Sequence, residues 1–171
     1  TAQSYADAGE YEQAIATLNQ GVNYFGESDD FTSKIEEYKA RLPISLLDMK
    51  VVDYQNTSVK DKSLQYEDIF GNTYQELIVM GKQSFIEFAP NGNFGYLSGT
   101  VFLHDNAGGD DAYSLQIYAD EVLVYSSDML GLRSDPVRID VDISKVRFVR
   151  LETTGSGWAN TLCISGARFH N

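Results

Sequence analysis

The spacing of apolar residues changes at Pro43, and no single type of secondary structure accommodates both spacings. On the N-terminal side Tyr11, Ala14, Ile15, Leu18 and Val22 recur at helical steps, with Glu, Gln and Asn between them. Gly9 interrupts the pattern, which predicts the end of one helix, a turn, a second helix of about four turns ending near Gly26, and a third begun by Asp29 or Asp30. Pro43, which has no amide hydrogen to donate, closes the helical stretch.

Beyond Pro43 the period is two. Leu47, Met49 and Val51 alternate with Asp48 and Lys50, and further runs read as strands over 76–80, 84–88, 94–104, 113–119, 121–126, 137–143, 145–153 and 161–169. Two inner faces stand out, Leu97, Val101 and Leu103 in one run and Val137, Ile139, Val141 and Ile143 in another. Turn signals such as Asn91-Gly92-Asn93 and Gly155-Ser156-Gly157 separate the runs, and no helical pattern intervenes to carry a parallel crossover. The pattern predicts an antiparallel β-sandwich over 44–171 behind a short helical segment over 1–43.

At 171 residues with 43% hydrophobic content, the chain has material for one core and an appendage. Thirteen Lys and Arg stand against 25 Asp and Glu, a formal charge of -12 that repels a phosphate backbone, so neither nucleic acid nor an anionic membrane surface is an expected partner. No apolar stretch reaches the ~20 residues of a bilayer span, so no membrane insertion is expected. The opening Thr1-Ala2-Gln3, already in a helical pattern, reads as part of something longer. The lone Cys163 excludes an internal disulfide and a multi-thiolate metal site, and in the apolar run Leu162-Cys163-Ile164 it reads as a buried thiol rather than a nucleophile served by His104 or His170. Asp140 and Asp142 share a strand face, but Arg138 and Lys145 beside them suit a solvated surface better than a glycosidase pair, which needs facing acids across a cleft. No motif of a hydrolase elbow, phosphate loop or metalloprotease occurs, and no enzymatic activity is expected.

Two resemblances sharpen this reading. The string from Ala6 to Ile15 resembles a tetratricopeptide repeat, over about one repeat, which cannot bury its own stacking face. Over roughly 44–171 an ordered set of segments resembles the NPCBM family of carbohydrate-binding modules: Asp68 to Tyr74, Phe94 to Val101, Ser114 to Ser126, Pro136 to Ile143, Val146 to Leu151, and Gly157-Trp158-Ala159-Asn160 before the last strand. That resemblance implies an all-β jelly-roll sandwich of galactose-binding-like type, on a bacterial protein of the extracellular space or cell envelope. Three positions depart from the family pattern: Glu121 and Gly157 stand where the family usually has Gly and Asp, and Met80-Gly81-Lys82-Gln83 replaces a segment that commonly contains His.

Sugar recognition needs an aromatic face and planar polar groups on loops at a rigid edge. Trp158 and Tyr113 are the aromatic candidates, Trp158 either exposed among small neighbours or packed at the sandwich edge, while Tyr96 lies within a strand. His104, Asp105, Asn106 and Asn160 are the hydrogen-bonding candidates, and His104 serves either a sugar hydroxyl or the end of its strand. The loop from His104 to Asp111 also offers hard oxygen ligands for a structural calcium, with Asp105, Asp110 and Asp111 as ligands; a solvated acidic turn is the competing reading. No other cofactor is expected. The expected function is non-catalytic, weak glycan binding by a module of a larger protein. The alternative is a scaffolding domain that caps a helical repeat array, meets other domains or a protein partner through its helices, and has lost its sugar site.

Overall fold

A computed structural model describes residues 1–56, 58–157 and 161–171, with the side chain of Ser58 outside the description. The chain forms two compact units, Thr1–Pro43 with His170–Asn171, and Ile44–Phe169. The first holds α1 (Ala2–Asp7), α2 (Tyr11–Phe25) and α3 (Asp29–Lys39). Gly9 and Gly26 take left-handed φ of 77° and 87° at the breaks between helices, where a residue with a Cβ would be strained. Ser28 caps α3 by accepting the Phe31 amide, and Asp29 and Asp30 in the first turn favour the positive end of the helix dipole. The packing centre is small, consisting of Ala6, Ala14 and Tyr38 with Tyr11, Ile15 and Leu18 around them.

The second unit is a two-sheet antiparallel sandwich. Its strands are β1 (Ile44–Ser45), β2 (Val51–Gln55), β3 (Ser58–Glu67), β4 (Thr73–Met80), β5 (Phe85–Phe88), β6 (Tyr96–Leu103), β7 (Ala112–Ala119), β8 (Val122–Ser126), β9 (Leu130–Gly131), β10 (Val137–Asp142), β11 (Val149–Ser156) and β12 (Leu162–His170). One sheet runs β10-β6-β12-β4-β3 with β1 on β12; the other runs β2-β5-β11-β7-β8 with β9 on β7. The alternation read from sequence sets the register directly, Val137 opposite Val101 and Val141 opposite Leu97, all facing the second sheet. Across the gap Ile86, Phe88, Leu115, Ile117, Val149 and Leu151 complete the core.

Strand ends shift, β1 and β9 are not among the expected strands, β2 begins where the first expected run ends, and two larger differences stand beside these. Residues 46–50 form a turn rather than a strand, because the Lys60 ammonium donates to the carbonyls of Leu46, Leu47 and Met49 in place of a neighbouring strand. Leu47 and Met49 still pack on the core, which is why the alternation looked strand-like. The ten-residue β3, absent from the expected set, pairs with β4 through a register shift between Asp61 and Gln65, and Glu76 on β4 takes a left-handed φ of 52°. The hairpin bends there and folds its tip onto the outer face of the first sheet. Tyr74 stacks on Phe102 with ring centroids 4.0 Å apart, and Leu64 and Tyr66 cover Leu77, Val79 and Cys163. Both faces of that sheet centre are therefore buried, so Val101, Phe102 and Leu103 are all inaccessible in succession.

Candidate functional site

The antiparallel order brings the ends of β4, β6 and β11 and the starts of β5, β7 and β12 to one edge of the sandwich, and the folded hairpin tip joins them there. Asp68 fixes that tip. It is 4% exposed and accepts four hydrogen bonds, from the Phe70 and Asn72 amides, the Asn72 side chain and the Tyr74 hydroxyl, at 2.9–3.0 Å. Burial pushes its carboxyl up, but the donors of Asn72, Tyr74 and Phe70 outweigh it and hold the group below the usual carboxylate range. The turn leaves Ile69 and Phe70 exposed.

The loop after β6 is tied at each step. The His104 amide donates to Thr161, the Asp105 amide to Glu67, and the Ala107 amide to His104. His104 Nδ1 accepts the Asn106 amide at 2.9 Å and lies 2.7 Å from Asp105 Oδ1, so a proton on Nδ1 decides whether the ring accepts the amide or donates to the carboxylate. The ring meets Tyr66 edge-on at 4.0 Å. His104 is thus half-buried with Nδ1 turned to its own loop, while Asp105 and Asn106 are exposed on a fixed backbone.

Other expected site residues fall elsewhere. Tyr113 is fully buried in the sandwich core, so it has no ring face to offer a sugar; burial first, and the charge of Asp111 second, push its phenol up. The physical reason lies across the sheet at Gly157, where a Cβ would overlap the Tyr113 hydroxyl and lie 2.9 Å from Asp111 Oδ1. The space a larger residue would take at position 157 is filled by Tyr113 and Asp111. The calcium ligand set is likewise not assembled. Asp111 is buried and accepts the Gly108 amide at 2.9 Å, Asp105 faces His104, and Asp110 is exposed. Among the described residues no group of three or more His, Cys, Asp or Glu is placed to share a cation. Trp158 and Asn160 lie outside the described residues. Cys163 is buried, and desolvation pushes its thiol up to about 12, which suits an inert structural role.

Sequence reasoning missed Asp68 as the anchor of the edge and Phe70 as an exposed ring beside it. The run Asp68-Ile69-Phe70-Gly71-Asn72 carries the signal, an Asx-turn residue followed by a Gly-Asn turn with two apolar residues at its apex.

Among solved structures, the CBM51-2 and INT domains of Clostridium perfringens ZmpB match with a TM-score of 0.66 at 15% identity, over 76% of this chain and 32% of that one. The CBM51 from Clostridium perfringens GH95, in complex with methyl-galactose, matches with a TM-score of 0.64 at 16% identity, over 75% of this chain and 99% of that one. The tandem CBM51 modules of Sp3GH98, the family 98 glycoside hydrolase of Streptococcus pneumoniae SP3-BS71, match with a TM-score of 0.64 at 20% identity, over 75% of this chain and 47% of that one. At these identities the likeness establishes the fold, a galactose-binding-like β-sandwich shared with carbohydrate-binding modules. The chain spans about a third of the first of these structures. Among curated protein sequences, none matches the chain. The model of the NPCBM/NEW2 domain matches residues 48–163, from the turn before β2 into β12, and the chain belongs to that family.

Proposed function

We propose that the sandwich is a non-catalytic module that binds glycan weakly at its loop edge, as part of a larger bacterial protein of the extracellular space or cell envelope. The observation that carries this reading is the backbone-tied loop that presents the exposed Asp105 and Asn106 beside the Asp68 turn. A planar carboxylate and amide held without rotational freedom of their backbone bind sugar hydroxyls at low entropic expense. Phe70 on the turn and Trp158 are the rings proposed to stack on the apolar side of the pyranose, with His104 and Asn160 contributing hydrogen bonds. Each such bond is worth only about 0.5–1.5 kcal/mol net, which makes the affinity of a single site low. No helix among the described residues is long and apolar enough to cross a membrane.

A second reading, a scaffolding role through the tetratricopeptide-like helices, is favoured by Tyr24 and Phe25, each 84% exposed at the end of α2. An immobilised glycan array separates the two. Binding that is lost in Asp105→Ala or Trp158→Ala and unchanged by chelator is the expected result. A blank array with a folded protein overturns the glycan reading in favour of the scaffolding one.

A further inference from the structure

We infer that the outer face of the second sheet, at the end of the sandwich away from the loop edge, is a separate binding site for a neutral pyranose. A cavity of about 310 Å³ opens there, lined by Glu87, Tyr118, Glu121, Phe148, Arg150 and Glu152. These residues come from three paired strands and two turns: Arg150 on β11 stands opposite Glu87 on β5 and Tyr118 on β7. The eight residues of β7 separate this face from the His104 loop, a span of about 25 Å.

The chemistry is that of a sugar site. Arg150 is held in place: its Nε donates to Glu87 at 3.1 Å, and its guanidinium lies 4.3 Å from the Phe85 ring centroid. Tyr118 and Phe148 supply aromatic surface for the apolar face of a pyranose. Glu121 and Glu152 have no ion-pair partner among the described residues and accept from hydroxyls, while Arg150 donates to them. Three lining carboxylates against the Arg150 guanidinium, with the Arg147 guanidinium 5.6 Å from the Phe148 ring centroid behind that wall, leave a net negative site, which repels uronic and sialic acids and admits uncharged sugars.

The turn that builds the cavity carries a second, independent mark. Ala119 pairs with Val122, so Asp120 and Glu121 are the two central residues of a hairpin, with φ of 45° and 69°. This turn type favours Gly at its second position, yet a glutamate that lines the cavity stands there in a left-handed conformation. Asp120 meanwhile accepts the Arg147 and Phe148 amides at 2.8–3.2 Å and so fixes the backbone that carries the Phe148 wall. A strained residue on the wall of a cavity is placed for binding rather than for stability.

The site shares its ligand class with the proposed loop edge and stands on different residues, so one titration distinguishes them. The ¹⁵N-labelled protein is titrated with methyl-galactoside, N-acetylglucosamine and glucuronate while backbone amide shifts are followed. Shifts over 118–121 and 148–152 with at least one neutral sugar and none with glucuronate are expected. In Glu121→Gly the melting temperature is expected to rise, because the left-handed position now holds Gly, while affinity at this face falls about five-fold or more. No shift at this face with either neutral sugar, equal shifts with glucuronate, or undiminished binding by Glu121→Gly would overturn the inference. Shifts confined to 104–107 overturn it and leave the loop-edge site standing, whereas shifts confined to the sheet face do the reverse.

Discussion

The helical segment buries Ala6, Ala14 and Tyr38 among a few half-covered neighbours, whereas the sandwich buries residues from both sheets and adds a second layer under its folded hairpin. Helices of this length are marginal on their own in water, and two small alanines at the crossing leave one aromatic residue to supply most of the apolar area. Tyr38 is 3% exposed, sits 5.9 Å from the Tyr11 ring and donates its hydroxyl to Gln3. In the sandwich, Phe88 packs edge-on to Phe169, which in turn stacks on Phe94. The same kind of truncation therefore has different consequences in a broad core and a narrow one. Phe88→Ala is expected to lose about 3–5 kcal/mol and still give a cooperative, lower melting transition. Tyr38→Ala is expected to remove helical circular dichroism at 25 °C, because its loss exceeds the reserve of the segment. Retained helicity in Tyr38→Ala would break the comparison and show that the helices draw stability from elsewhere.

A smaller effect tests the polar side of the sandwich. Replacing Asp68 by Asn removes a carboxylate that accepts four donors, and is expected to lose about 1.5–3 kcal/mol at neutral pH by chemical denaturation. Its carboxyl is held below the ordinary range in the folded state, so the folded chain binds fewer protons than the unfolded chain in that window. The contribution is fully present above about pH 4, the unfolded value, and fades as pH falls through the lower folded value. The gap between the two proteins should therefore close in strong acid. A gap that is the same at pH 7 and in strong acid would mean the anchor acts by shape rather than by charge.

How far such features are legible in the sequence depends on how local their causes are. Strand β10 is readable because each apolar residue on it faces the core and each polar residue faces water. Strand β3 is not, because it lies at a sheet edge and its hairpin bends back at Glu76, a left-handed position that no glycine announces. The loop after β6 is legible as polar, and Asp105, Asn106 and Asp110 are exposed there, but the burial of Asp111 within it is not. The burial of Tyr113 is not legible either, since it depends on the room left by Gly157, the residue after the end of the partner strand β11. The sheet-face cavity is assembled from residues as far apart as Glu87 and Glu152, which no spacing rule joins.

The finest test of the comparison lies at one helix end. α3 begins with Ser28, whose hydroxyl accepts the Phe31 amide at 3.3 Å, whereas α2 begins with Glu10, which makes no side-chain capping bond. The first amides of α2 thus lack the local acceptor that α3 has, in the unit least able to spare it. Glu10→Ser should add about 0.5–1 kcal/mol, seen as a higher midpoint of the helical signal at 222 nm. The near-ultraviolet signal of the sandwich aromatics should not move with it. If the midpoint stays fixed although the helical content rises, the narrow core around Ala14 and Tyr38 rather than the helix ends sets the stability of the segment.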